Sequence, residues 1–127
     1  MSVIAALRSV LVDDPAVSAL VDERVHHQRV PEESSLPAVV FFRVSTRPEN
    51  RLHGASTYHW MRWQFGARAS TALQAEEVAD AVADALDDYA AASGAVARIR
   101  LQGRTDGWDP QLESYADDVD AAVWQRP

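Results

Sequence analysis

Ala38-Val39-Val40-Phe41-Phe42-Arg43-Val44-Ser45 is the stretch on which the reading of this chain turns. β-Branched and aromatic residues fill it, and a run that is apolar on both sides fits a central strand covered on both faces. Upstream, Leu36 and Pro37 lead into the strand, and the polar stretch Glu32 to Ser35 reads as loop. Val25 to Val30 alternates weakly and stops at Pro31, which allows only a short or edge strand. Before it, Asp14-Pro15 is a helix restart: the carboxylate can cap free N–H groups and proline fits the first turn, with Val17, Leu20 and Val21 as a short apolar face. The first helix carries Val3, Ile4, Leu7, Val10 and Leu11 at helical spacing, with Ser2 as its cap, and stops at Asp13-Asp14-Pro15.

Downstream, Thr46 to Thr57 contains proline, asparagine, glycine, charge and a histidine, so a long protruding connection is expected there. Tyr58 to Arg68 then alternates, His59, Met61, Trp63, Phe65 and Ala67 on one face and Tyr58, Trp60, Arg62 and Gln64 on the other. Ser70 or Thr71 can cap the principal helix, Thr71 with Gln74 making a capping box; Leu73, Val78, Val82, Leu86 and Tyr89 make its apolar face, and Gly94 closes it. Val96 to Gln102 alternates as a strand, with Arg98 and Arg100 opposite Ala97, Ile99 and Leu101. Gly103 to Pro110, with Asp106-Gly107 and Asp109-Pro110, is turn chemistry, and Val119, Ala121 and Val123 belong to a last strand. The expected fold class is α+β: two N-terminal helices, a mostly antiparallel sheet of four to five strands, and one long amphipathic helix packed on one face. No repeat or linker interrupts residues 1–127, which are expected to form a single domain.

Composition narrows the chemistry. The chain has 127 residues, 47% hydrophobic and 24% charged, which are the values of an ordinary folded domain. Without cysteine there is no disulfide, thiolate nucleophile or Cys-ligated metal. The opening residues lack the basic-then-apolar order of a secretory signal and no run reaches membrane-spanning length, so synthesis and use in a cytoplasm are expected. A net charge of −7 disfavours gripping nucleic acid or anionic membrane through the overall field.

The candidate chemical groups are few. His26, His27, His53 and His59 form no helical pair that would bring two rings to one metal, and adjacent His26 and His27 on a strand point to opposite faces. No nucleophile elbow or phosphate-cradling glycine loop accompanies Ser45-Thr46 or Ser56-Thr57. No catalytic residue, cofactor-binding residue or metal ligand is therefore assigned. Charge stripes remain. Glu76, Glu77, Asp80, Asp84, Asp87 and Asp88 mark the principal helix with no basic residue between Thr71 and Ser93, and the last two sit at the wrong end of its dipole. Such a face is either plainly solvated or meets something. Arg98, Arg100 and Arg104 read as one basic stripe, paired either within the chain or across a subunit interface. Trp108, placed in a turn, leaves aromatic surface for a partner.

Taken in chain order, several segments carry a resemblance: Leu20-Val21-Asp22-Glu23-Arg24-Val25, Leu36-Pro37-Ala38-Val39-Val40-Phe41, Trp63-Gln64-Phe65-Gly66-Ala67-Arg68, and the helix from Glu76-Glu77-Val78-Ala79 to Leu86-Asp87. Together they resemble the tail terminator, or tail completion, proteins of long-tailed bacteriophages and gene transfer agents. Asp118-Val119-Asp120-Ala121-Ala122-Val123-Trp124 is similar to that family's ending. The resemblance implies a non-enzymatic virion subunit at the tail–neck junction, assembled in the host bacterial cytoplasm. It would form a homo-oligomeric, hexameric ring that caps the tail tube, ends its polymerisation and joins the tail to the head connector or stopper protein. DNA would pass through without specific binding, with no cofactor and no membrane contact. The expected subunit or partner interface comprises Arg47, Arg51, His53, Arg98, Arg100, Arg104 and Trp108, and the six carboxylates are expected to line the lumen or an interface. With the helix turned to the lumen, six subunits bearing six carboxylates each would place 36 negative charges around the channel. The alternatives are another neck component, such as a head completion or connector protein, or a small cytoplasmic ligand-binding α+β protein.

Overall fold

Local capping fixes the helix starts. In the computed structural model, which describes residues 2–47 and 58–126, Ser2 accepts a hydrogen bond from the Ala5 amide (3.1 Å) and starts α1 (Val3–Val12). Asp14 accepts from the amides of Ala16 (3.0 Å) and Val17 (3.1 Å) ahead of α2 (Pro15–Val21). Thr71 accepts from Gln74 (3.1 Å) and starts α3 (Ala72–Leu86). Each cap satisfies donors that the first helical turn cannot pair internally.

The strands are β1 (Val25–His27), β2 (Ala38–Arg47), β3 (His59–Ala69), β4 (Val96–Asp109) and β5 (Ser114–Gln125). They form one sheet in the order β1-β2-β3-β5-β4, parallel between β1 and β2 and antiparallel elsewhere. The α+β class and the mostly antiparallel sheet are as the sequence predicts. All three helices lie on one face. Leu7 and Leu11 of α1, Val17 and Val21 of α2, and Val78, Val82 and Leu86 of α3 pack onto Phe41, Met61, Trp63, Phe65, Ile99, Val119 and Val123. Alternation along β3 is as expected: Met61, Trp63, Phe65 and Ala67 are buried beneath the helices. A smaller cluster, Val30, Ala38 and Val40 with Leu36 and Leu112, covers one end of the opposite face. Among the described residues no helix covers the remainder, here called the open face.

Four sequence-based expectations need correction. The connection after β2 begins later than expected, because Thr46 and Arg47 still pair with Met61 and Trp60; residues 48–57 lie outside the described residues. Leu73 is 67% exposed: five residues before Val78 it falls about 140° away on the helix surface, and Ala75, Val78, Ala79, Val82 and Leu86 form the buried stripe. α3 ends at Leu86, well before Gly94. Asp87 is extended and Asp88 takes a left-handed φ of 52°, a conformation short polar side chains tolerate, so both carboxylates stand beyond the helix. The following residues fold back along β4: the Ala91 amide donates to Ala97 O (3.0 Å) and the Ile99 amide to Tyr89 O (2.9 Å). Gly94, at φ 98°, turns the chain into β4.

The largest correction concerns Gly103 to Asp109, which belong to β4. Trp108 pairs with Tyr115 and Asp106 with Asp117, and the reversal comes only at residues 110–113. Pairing with β5 supplies backbone bonds that outweigh the local turn preference of Asp106-Gly107. The strand also shifts register between Val96 and Arg98 and carries a second bulge nearer its middle. Leu101 lies opposite Ala121 and Gly103 opposite Asp120, so Gln102 is an extra residue and the inward–outward alternation shifts by one.

Candidate functional site

The bulge separates residues that spacing alone groups together. Arg98 and Arg100 pair with Trp124 and Ala122 on the open face, whereas Arg104 pairs with Val119 on the helix-covered face. The single basic stripe is therefore two arrangements. Arg104 is engaged within the chain: its Nε and Nη2 donate to the two carboxylate oxygens of Asp117 (2.9 and 3.0 Å). Nη1 donates to Asp80 of α3 (2.6 Å) and Nη2 also to the Glu76 carbonyl (3.3 Å). Asp117 is 7% exposed, so this bidentate clamp supplies the charge its carboxylate would otherwise lack. The hydrogen bond that Arg104 donates to Asp117, more than the one it donates to Asp80, raises its pKa, with burial acting against it. Arg104 thus ties α3 to the β4–β5 hairpin. Of the acidic set, Asp80 is held by it, while Glu76, Glu77 and Asp84 are exposed along α3 and Asp87 and Asp88 follow its end.

The open face is built in cross-strand rows. Ala38, Arg68 and Ala116 form the first, then Val40, Gly66 and Asp118, then Phe42, Gln64 and Asp120. Ser45, Arg62, Ala122 and Arg100 follow, and Trp60, Trp124 and Arg98 end the series. Arg47 closes β2 in register with Trp60. Arg51 and His53 lie outside the described residues.

Arg68, 8% exposed, holds the covered end of this face. Its Nε donates to Asp109 (2.9 Å) and its Nη1 to Asp118 (2.6 Å) and to the Ala67 carbonyl (3.1 Å). Gly66 makes room for that contact: a Cβ there would stand 2.5 Å from Arg68 Nη1 and 2.6 Å from Asp118 Oδ1. Asp109 in turn accepts from the amides of Gln111 (3.0 Å) and Leu112 (3.3 Å) and so shapes the β4–β5 turn. Burial opposes its ionisation, but the Arg68 hydrogen bond and these amides prevail and hold the carboxyl below its ordinary pKa. This network was not anticipated from sequence. A glycine inside a strand, two residues before an arginine, is the signal that points to it.

At the far end the charges are arranged differently. Arg62 meets Asp120 (3.2 Å), and the Arg98 guanidinium lies 6.0 Å from the centre of the Trp124 ring. Among the described residues neither Arg98 nor Arg100 has a carboxylate partner, and both are exposed. Trp108, 54% exposed, stacks edge-on with Tyr115 at 5.1 Å, close to the exposed Leu73. His26 and His27 point to opposite faces, as expected. His26 meets Ser34 Oγ (3.2 Å), and its pKa is lowered by burial and by nearby Arg8 and Arg24; His27 packs against Phe41 and Trp63. Among the described residues no three His, Asp or Glu come together to hold a metal ion, and no helix is long and apolar enough to cross a membrane.

This geometry offers charged and aromatic surfaces. Residues 5–125 match the family described as "Tail completion protein gp17". Sixteen chains of solved structures are similar to this one. One comes from the "Virion of native gene transfer agent (GTA) particle", with a TM-score of 0.73 and 17% identity over 99% of this chain and 96% of that one, a likeness of fold. Comparison with curated proteins gives no match.

Proposed function

Because the chain belongs to the tail completion protein gp17 family, we propose that it finishes the tail of a long-tailed phage or gene transfer agent. In this reading six copies close into a ring on the end of the tail tube, stop its polymerisation and present the surface to which the head connector docks. The observation that carries it is the extent of the family match, from within α1 to the end of β5. The surfaces are consistent with an assembly role: Arg98 over Trp124 with Arg100 in the next row, neither holding a carboxylate among the described residues, an exposed acidic helix, and the apolar residues Leu73, Trp108 and Tyr115. At −7 per subunit, the field of such a ring repels DNA and lets it pass without adhering. Assembly takes place in the bacterial host, and the protein stays in the virion at the tail–neck junction.

The test mixes purified protein with polymerising tail-tube protein and records tube length and tube ends by electron microscopy. Tubes of limited length bearing a six-fold ring at one end are expected. Tubes that grow on uncapped would instead favour a head-side completion or connector protein.

A further inference from the structure

We propose that the arginine–tryptophan end of the open sheet face receives the acidic side of α3 from a second copy of this chain. The inference rests on the ring reading above and names the contact between neighbours. Arg98, on Trp124, and Arg100 lie in adjacent rows on one face, exposed and, among the described residues, without a carboxylate of their own. In a chain with 19 acidic and 12 basic residues, Arg62, Arg68 and Arg104 are matched to carboxylates within the fold; of the exposed arginines without such a match among the described residues, which include Arg29 and Arg43, Arg98 and Arg100 are the two that share one strand and one face. On the other side of the sheet, α3 turns Val78, Val82 and Leu86 inward and leaves Glu77 and Asp84 exposed, in line two turns apart. Glu77 and Asp84 are about 10 Å apart by helix geometry and Arg98 and Arg100 about 7 Å apart by strand geometry, a difference that long arginine stems absorb.

Complementary charge selects the occupant, and topology selects the arrangement. The arginines and the acidic helix side lie on opposite faces of one sheet, so they cannot meet within a subunit. Two copies cannot satisfy both pairs reciprocally either. Such surfaces join head to tail, a heterologous contact that closes into a ring when the rotation permits. Trp124 supplies an aromatic floor on which an arginine stays oriented while its outer side meets the incoming carboxylate.

A charge-reversal experiment tests this with two variants of the whole protein. One carries Arg98→Glu and Arg100→Glu, the other Glu77→Arg and Asp84→Arg. Each alone opposes like charges at every junction, and its self-association is expected to weaken at least about tenfold, or about 1.4 kcal/mol. Mixed, the two types are complementary at both junctions and are expected to restore rings of strictly alternating composition, read as a 1:1 ratio by native mass spectrometry and as capped tubes by microscopy. Rescue on mixing also shows that both variants are folded. Should a double reversal unfold its host, Arg100→Glu and Asp84→Arg are mixed in its place.

The inference is overturned if either variant alone assembles like the parent, the result expected if α3 lines the lumen. It is also overturned if two natively folded variants fail to assemble together while the parent forms rings. A parent chain that forms no ring, free or on tubes, removes the ring reading itself and this contact with it.

Discussion

Gly66→Ala puts a methyl group into the tightest polar contact of the open face. The new Cβ would stand 2.5 Å from Arg68 Nη1 and 2.6 Å from Asp118 Oδ1, inside van der Waals contact with both. Neither atom is free to retreat, because the same guanidinium is bound through Nε to Asp109 (2.9 Å) and Nη1 to Ala67 O (3.1 Å). Inserting a methyl into a packed site costs about 1–3 kcal/mol, and replacing glycine by alanine returns about 0.4–1 kcal/mol through the unfolded chain. A net loss of about 1–2 kcal/mol is expected. The diagnostic is its dependence on Arg68. In an Arg68→Met background the Asp118 carboxylate, one-quarter exposed or less, can swing aside, so adding Gly66→Ala should become neutral or stabilising by about 0.5 kcal/mol. The coupling between the two positions would then be about 2 kcal/mol, within the range for residues in contact. Urea unfolding followed by tryptophan fluorescence, at concentrations where the parent is monomeric, measures all four corners of the cycle. An equal cost of Gly66→Ala in both backgrounds would refute the reasoning, since the penalty would then lie in the backbone and not in the ion network.

Arg104→Met should cost about 2–4 kcal/mol by stranding Asp117, whereas Arg100→Met should stay within about 0.5 kcal/mol; denaturant midpoints separate the two arginines. His26 titrates below its ordinary 6.5 in the fold, so the unfolded chain binds more protons as the pH falls through 6.5. Its contribution is complete above pH 6.5 and is lost as the pH falls toward the folded-state pKa. His26→Gln should flatten that part of the stability–pH curve, and NMR titration of the ring reports the lowered value. Thr71→Ala removes the acceptor for the Gln74 amide and should cost about 1 kcal/mol, read from thermal unfolding.

What sequence makes legible here is whatever local chemistry determines. Ser2, Asp14-Pro15 and Thr71 fix helix starts through bonds spanning three residues or fewer, and each is found where its spacing puts it. Ala38 to Ser45 as a strand and the alternation after Tyr58 are equally readable, although cover on both faces, expected for the whole run, holds for Ala38 to Phe41 and fails from Arg43 on, where Val44 is 44% exposed because no helix lies over that end of the sheet among the described residues. What could not be read depends on partners distant in the chain. Asp106-Gly107 has the composition of a turn and becomes strand only because Asp117 and Ala116 lie alongside. The extra residue Gln102 has no local signature, so the divergence of Arg98 and Arg100 from Arg104 is invisible until β5 sets the register. Arg68 finds Asp109 and Asp118 at separations of 41 and 50 residues, beyond any periodicity. Of the candidate surface, the exposure of Trp108 was legible; which arginines pair within the fold, and the division of charge between two faces, were not.

That extra residue makes β4 a strand with two addressees. Before Gln102 its arginines speak to the outside; after it, Arg104 speaks to the subunit's own helix. Pairing Gln102 in regular register opposite Asp120, in place of the bulge, would set Arg104 opposite Asp118 and so carry it to the side of Arg98 and Arg100, leaving Asp117 and Asp80 without their counter-charge. One unpaired residue therefore sets how much positive charge this subunit keeps for itself and how much it shows to others.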